Sequence, residues 1–244
     1  RTATQLEPMR SGWRVTGHAP DGERTVRARH VVLSVPAAGA ATLLHPLDGE
    51  SERLLRGIGY ASLTVVHLAF DRSAVHHPLA GTGFLVPRSE NPQLTGCQWV
   101  SSLFPYRAPR AKVLLTCYLG GARAPETRDW DDDRCIGAVM AWLGPLLRIK
   151  AAPERVWVDR HGCGLPLYHG AYSGRLRAIA ERLENWPGLH LAANYCGGVS
   201  IRDRIANGYA LAQNIQVALA GSGAPSPATV LGSFPMRAVT RSSC

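Results

Sequence analysis

Among the residues whose types and spacing could support chemistry, the run 189–208 comes first. An apolar stretch over 189–193 has the pattern of a short buried strand and ends in Asn194-Tyr195-Cys196-Gly197-Gly198-Val199-Ser200. Apolar residues at Ile201, Ile205, Tyr209, Ala212 and Ile215 then mark a helix. A strand, a glycine turn and a helix start aim backbone N–H groups and the positive end of the helix dipole at one point, which is the chemistry of anion binding. Gly197 and Gly198 let a ligand approach the main chain because no Cβ intervenes. An ordinary bend would also need glycines here, and the residues by themselves leave the two readings open.

The other reactive-looking groups carry less. Four G-x-G triplets start at Gly57, Gly81, Gly162 and Gly221, but none has a glycine three residues further on, so the dinucleotide fingerprint G-x-G-x-x-G is not in this sequence. No Walker-type phosphate loop is present. Gly170-Ala171-Tyr172-Ser173-Gly174 puts its serine one place too late for a nucleophile elbow. His76-His77 sits among Pro and Ala and reads as loop. His161 and Cys163 have the spacing of a metal pair, but without two further ligands they read as a polar loop with a buried thiol. The aspartates over 129–133 precede an apolar helical segment and are expected to cap it. No catalytic side chain and no metal site is expected.

The elements that would position these residues follow from period and punctuation. Strands are expected over 13–18 and 25–35 around the turn Pro20-Asp21-Gly22, and over 62–70, 83–87, 98–102, 112–119, 156–159 and 189–193. Helices are expected over 52–55, 136–147 and 174–185 and from Ile201 onward, with a stretch of small residues over 37–41. Strands and helices do not alternate regularly, which predicts an α+β fold with a mixed or antiparallel sheet and helices beside it. The chain has 244 residues, 45% of them hydrophobic and 18% charged, enough for a packed core. Its net charge is +9, and Lys112 and Lys150 are the only lysines, so arginine supplies the excess. Those arginines are scattered, which reads as solvated surface and not as a nucleic-acid interface. No apolar run approaches the roughly 18 residues of a membrane span. Six cysteines without a C-x-x-C pair are expected to stay as free thiols. The opening Arg1-Thr2-Ala3-Thr4-Gln5 reads as a cut into a longer polypeptide, and 221–244 as a poorly ordered tail.

From Leu191 to Gly208 the chain resembles the C-terminal flavin motif of the protoporphyrinogen and coproporphyrinogen oxidases, within the amine oxidase-like flavoprotein superfamily. That pattern is an apolar strand, a Gly-Asn or Gly-Ala turn, Gly-Val, then Asp and Ile before a small residue and Gly. Asn194, Gly198, Val199, Asp203, Ile205 and Gly208 match it, while Ala193 replaces the usual first glycine. Further matches occur in order: Val31-Val32-Leu33-Ser34-Val35-Pro36, Gly83-Phe84-Leu85-Val86-Pro87, Leu119-Gly120-Gly121 with Arg123, and Pro166-Leu167-Tyr168. The family's Gln is here Leu167, and its following Gly-His is Ala171-Tyr172, which bears on the substrate.

The resemblance implies a non-covalent FAD that oxidises a porphyrinogen to the porphyrin in haem biosynthesis. Asn194, Gly198, Val199, Ser200 and Ile201 would line the flavin, and Thr82, Leu85 and Tyr118 the tetrapyrrole substrate. It divides the chain into returning strands of the FAD domain (1–36), a substrate-binding domain (37–160) and a strand–turn–helix that closes a Rossmann-like FAD domain (161–220), before the tail. The N-terminal half of that FAD domain would be the missing partner, and this chain without it is expected not to turn over. A cytoplasmic protein with a peripheral membrane contact fits the arginine-rich surface. Two other readings are an amine oxidase or carotenoid desaturase relative, and a non-catalytic porphyrin-binding domain.

Overall fold

The computed structural model describes residues 2–198 and 200–220; Val199 and the expected tail, 221–244, lie outside the described residues. Two compact units divide the chain: Arg1–Gly59 together with Tyr168 onward, and Tyr60–Leu167. The first begins with an antiparallel meander of β1 (Thr2–Met9), β2 (Gly12–Ala19) and β3 (Gly22–Ala28). β1 escaped the sequence reading because only Leu6 of its residues is buried, which leaves no apolar alternation to detect. The strand expected over 25–35 is in fact two. β3 ends at Ala28, and after Arg29-His30 the chain joins a different sheet as β4 (Val31–Leu33).

The small-residue stretch after Pro36 is a helix, α1 (Ala37–Leu44). Alanine is the best helix former, and Ala37, Ala40, Ala41, Leu43 and Leu44 bury one face. In α2 (Gly49–Arg56), Asp48 caps the start by accepting from Glu50 N at 3.2 Å.

The Tyr60–Leu167 unit is a five-stranded antiparallel sheet. Its elements along the chain are β5 (Tyr60–Asp71), β6 (Gly83–Leu85), β7 (Leu94–Trp99), a short α3 (Val100–Leu103), β8 (Lys112–Gly120), α4 (Asp132–Leu147) and β9 (Arg155–Pro166). The strand order is β6-β7-β8-β5-β9. Alternate residues of β5 and β8, among them Val66, Leu68, Phe70, Leu115, Cys117 and Leu119, point to one face. There they meet Cys135, Val139, Leu143 and Leu147 of α4, which the four-residue helical spacing places in one stripe. Burying each large side chain contributes about 1.5–3 kcal/mol. Asp131 caps α4 by accepting from Arg134 N at 2.8 Å. Two expectations are corrected in this unit. The strand expected over 98–102 ends at Trp99, and the chain turns at once into α3. β9 runs on through His161 and Cys163, so this pair lies in a strand and the Cys163 thiol is exposed, because the long β5 offers a ladder partner that local sequence cannot show.

The first unit is completed by α5 (Tyr172–Leu183), β10 (Leu189–Leu191) and α6 (Ile201–Ala220). β10 pairs in parallel with β4, Leu189 opposite Val31 and Leu191 opposite Leu33. The fold thus mixes helices with antiparallel sheets and one short parallel pair. Among the described residues, no helix is long and apolar enough to cross a membrane.

One ion pair ties α5 to α2. Arg182 donates Nε to Asp48 Oδ2 at 2.6 Å and Nη2 to Oδ1 at 2.5 Å. The Arg182 hydrogen bonds hold the Asp48 carboxyl at about 2, against an ordinary 3.8. A carboxyl depressed in the folded state stabilises above its unfolded value and ceases to do so as the pH falls through the folded one. Asp48→Ala is therefore expected to cost about 2 kcal/mol at neutral pH, from lost capping and pairing. It should also remove the part of the acid destabilisation that falls between about pH 4 and pH 2. Urea unfolding of both proteins across that range measures it; parallel acid limbs would refute the assignment.

Candidate functional site

Strand β10 runs into the glycine turn, and the turn runs into α6, as the spacing required. Gly197 and Gly198 adopt φ of 57° and 81°, the left-handed region that glycine enters at little cost. The turn is tied down from several directions. Tyr195, Cys196 and Gly197 are buried, and Asn207 Nδ2 donates to Gly197 O at 2.9 Å from the second turn of α6. Arg204 donates Nη1 to Ala193 O. Tyr168 donates its hydroxyl to Asn194 O, and Tyr172 donates to Tyr195 O at 2.6 Å. The two tyrosine rings pack edge to face with centroids 5.0 Å apart. Burial, reinforced by Tyr168, pushes the Tyr172 phenol up to about 12, so it remains a neutral donor.

Ser200 opens the helix with a capping box. Its Oγ accepts from Asp203 N at 3.1 Å, and its own N–H donates to Asp203 Oδ2 at 3.2 Å. Ser200 and Ile201 are exposed, and with the remaining first-turn N–H groups they form the outward side of the turn. A side chain at Gly198 would collide with the cap, since a Cβ there would stand 2.7 Å from both Cβ and Oδ2 of Asp203. The outward side can therefore meet an electron-rich group, while the inner side is fixed by packing.

The second feature belongs to the Tyr60–Leu167 unit, on the sheet face away from α4. Ladder register makes it: Leu85 lies opposite Gly96, and Gly96 opposite Tyr118; Gly83 lies opposite Gln98. Two glycines between larger residues leave a hollow of about 480 Å3, with Thr82, Phe84, Leu85, Gln98 and Tyr118 around it. Leu85 is 88% exposed, an apolar side chain offered to a ligand. Tyr118 donates its hydroxyl to Gln98 Oε1 at 3.1 Å, and burial raises its phenol above the ordinary value, which keeps it protonated. Arg123 fixes the rim by donating Nη1 to Val86 O at 2.9 Å and Nη2 to Leu94 O.

The structure thus places Thr82, Leu85 and Tyr118 on one pocket. Asn194, Gly198, Ser200 and Ile201 lie on one turn in the other unit, and Val199 falls outside the described residues. Sequence reasoning missed Gly96 and Gln98, which only the strand register brings to the pocket. It also passed over Tyr168 and Tyr172 as braces of the turn. Tyr172 was legible as a departure from the porphyrinogen oxidase pattern, and its hydrogen bond to Tyr195 O shows what the residue does here. Among the described residues no three His, Cys, Asp or Glu gather as a metal site would require.

The described residues thus combine a mixed helix-and-sheet fold, a glycine turn at a helix start and a largely apolar pocket. The model of the family described as flavin containing amine oxidoreductase matches residues 4–216, and the chain belongs to that family. It is 30% identical over 191 residues to coproporphyrinogen III oxidase of Bacillus subtilis (strain 168), covering 78% of this chain and 40% of that protein. It is 26% identical over 220 residues to the chloroplastic protoporphyrinogen oxidase of Nicotiana tabacum, covering 84% and 39%. The chain spans about 40% of the length of these curated relatives. Among solved structures, a candidate protoporphyrinogen oxidase from Exiguobacterium sp. 255-15 superposes with a TM-score of 0.73 at 23% identity, covering 88% of this chain and 46% of that one. A putrescine oxidase variant gives 0.64 at 17% identity, covering 88% and 48%. These two likenesses show the fold.

Proposed function

We propose that this chain is the substrate-binding and flavin-closing part of an FAD-dependent porphyrinogen oxidase. One observation carries the reading: Thr82, Leu85 and Tyr118, the residues expected at a tetrapyrrole, line one hollow in a chain that also presents the family's glycine turn. The curated relatives, named as porphyrinogen oxidases, support the choice of substrate.

In this reading β4 and β10 are two strands of a Rossmann-like sheet that an N-terminal half completes, and FAD supplies the hydride acceptor. Asn194, Gly198, Ser200, Ile201 and the neighbouring Val199 lie along the flavin, with first-turn amides donating to it. A rigid turn suits this task, because a backbone braced by the Tyr168 and Tyr172 hydroxyls need not reorganise when charge develops. The exposed Leu85 gives a macrocycle an apolar contact, and the neutral Tyr118 phenol and Gln98 amide give its polar edge hydrogen-bonding partners.

The full-length protein carrying this chain is expected to purify yellow and to convert a porphyrinogen into a fluorescent porphyrin. Leu85→Asp, which places a carboxylate against the macrocycle, should raise the porphyrinogen KM about tenfold or more while leaving flavin content unchanged. A colourless protein rejects the cofactor assignment. A yellow protein that oxidises amines or polyenes and ignores porphyrinogens rejects the substrate assignment. The isolated chain is expected to show no turnover.

A further inference from the structure

A second pocket, of about 470 Å3, lies in the unit that holds the glycine turn, but it is lined by different residues. Its walls are the tip of the β1–β2 hairpin, the Arg29-His30 break, the connection from α5 to β10 and the last turn of α6. The backbone under it is fixed. Gly12, at φ 97°, packs so closely that a Cβ there would stand 2.4 Å from Ala28 O and 2.8 Å from Arg29 Cα. Gly188, at φ 80°, would put a Cβ 2.5 Å from Arg29 O. Trp13 Nε1 donates to Pro187 O at 3.0 Å, and Val31 N to Gly188 O at 2.8 Å. The segment carrying Arg29 and His30 is thus clamped from two sides, as a preorganised site requires.

The lining is cationic without compensation. Arg10 and Arg29 are exposed, no Asp or Glu lines the pocket, and neither guanidinium has an ion pair among the described residues. Nearby arginines on the meander are neutralised differently: Arg14 pairs with Glu7, and Arg24 with Asp21. His30 stands between Arg29 and the buried His190, its Nδ1 3.1 Å from His190 Nε2, with the rings stacked. Burial drives His190 down to about 4 and, together with the Arg29 charge, lowers His30, so both imidazoles are neutral near pH 7. Trp186 is partly exposed and packs 6.1 Å, centroid to centroid, from the buried Trp13, which holds one indole at the pocket in a fixed orientation.

We propose that this pocket binds a small aromatic anion, its ring against Trp186 and its carboxylate or phosphate on Arg10 and Arg29. The volume lies within the roughly 300–1,000 Å3 of small-ligand sites and suits a nucleoside monophosphate or a bicyclic carboxylate. Planar guanidinium forks match either anion, and an indole supplies the stacking surface. The site does not depend on the flavin or porphyrinogen reading.

Calorimetric titration of the full-length protein tests it with four probes: guanosine monophosphate, 2-naphthoate, guanosine and inorganic phosphate. None contains a flavin or adenine group, so binding at a flavin dinucleotide site is not reported. Saturable binding of guanosine monophosphate or of 2-naphthoate is expected, with guanosine and phosphate at least about tenfold weaker. Binding of the first alone identifies a phosphate ligand, and of the second alone a carboxylate. The Arg10→Gln/Arg29→Gln double variant, altered only at exposed side chains, should lose about tenfold or more in affinity with its circular dichroism unchanged. In the unaltered protein the His30 ring protons should shift on binding. No saturable binding of either aromatic anion, full affinity in the folded double variant, or phosphate binding as tightly as guanosine monophosphate each overturns the proposal.

Discussion

Gly198→Val is expected to strip the full-length protein of flavin, leaving less than about a tenth of the unaltered protein's cofactor content, and to destabilise the unit that holds the turn by about 3 kcal/mol. Two costs add. Gly198 sits at φ 81°, where a β-branched residue is a backbone outlier. Its Cβ would stand 2.7 Å from Asp203 Oδ2, the atom that accepts from Ser200 N and completes the capping box. The new side chain cannot be accommodated without breaking the cap, and the cap is what fixes the first-turn amides. Flavin absorbance per purified chain, read with a thermal melt, measures both parts. A variant that melts earlier yet keeps its full flavin would show that the turn is structural and does not touch the cofactor.

The second large effect is expected from Gly83→Ala. A Cβ at this position, with φ 136°, would stand 2.1 Å from Cys97 O and 2.9 Å from Gln98 Cα. Both are backbone atoms of the neighbouring strand, so no rotamer change relieves the clash. β6 must leave the sheet edge, taking Leu85 from the pocket and Phe84 from its packing on Trp99 and Trp142. Porphyrin affinity should fall by about tenfold or more, with a local cost of about 2–4 kcal/mol. Hydrogen exchange should show β6 and β7 amides opening while the central β5–β8 ladder stays protected. Unchanged porphyrin binding with β6 released would separate the pocket from the substrate.

Periodicity and ladder register also decide which elements could be read from the sequence. β5, β8 and α4 were legible because their apolar residues repeat with the period of the element and all face one core. The glycine turn was legible as a turn because two adjacent glycines separate a buried strand from a helix start, while its flavin reading came from the porphyrinogen oxidase resemblance. β1 carries almost no buried residue, and α1 is a run of small residues without charged positions to mark an exposed face; local pattern was silent for both. The pocket was half legible. Thr82, Leu85 and Tyr118 came from the porphyrinogen oxidase resemblance, whereas Gly96 and Gln98 became neighbours of Tyr118 only through a ladder that joins distant segments. Tyr172 shows the same limit, since the backbone it braces lies across the turn, beyond the reach of local pattern.

Tyr60, the first residue of the five-stranded unit, stands directly across the ladder from Pro166, next to its last. Both chain ends of that unit therefore leave from one rung. A segment whose entry and exit coincide can be lengthened, trimmed or swapped as one piece without unzipping the host that surrounds it in sequence. Evolution can treat such a unit as a cassette, retuning what is recognised by exchanging the insert while the flanking halves of the chain keep their own hydrogen bonds.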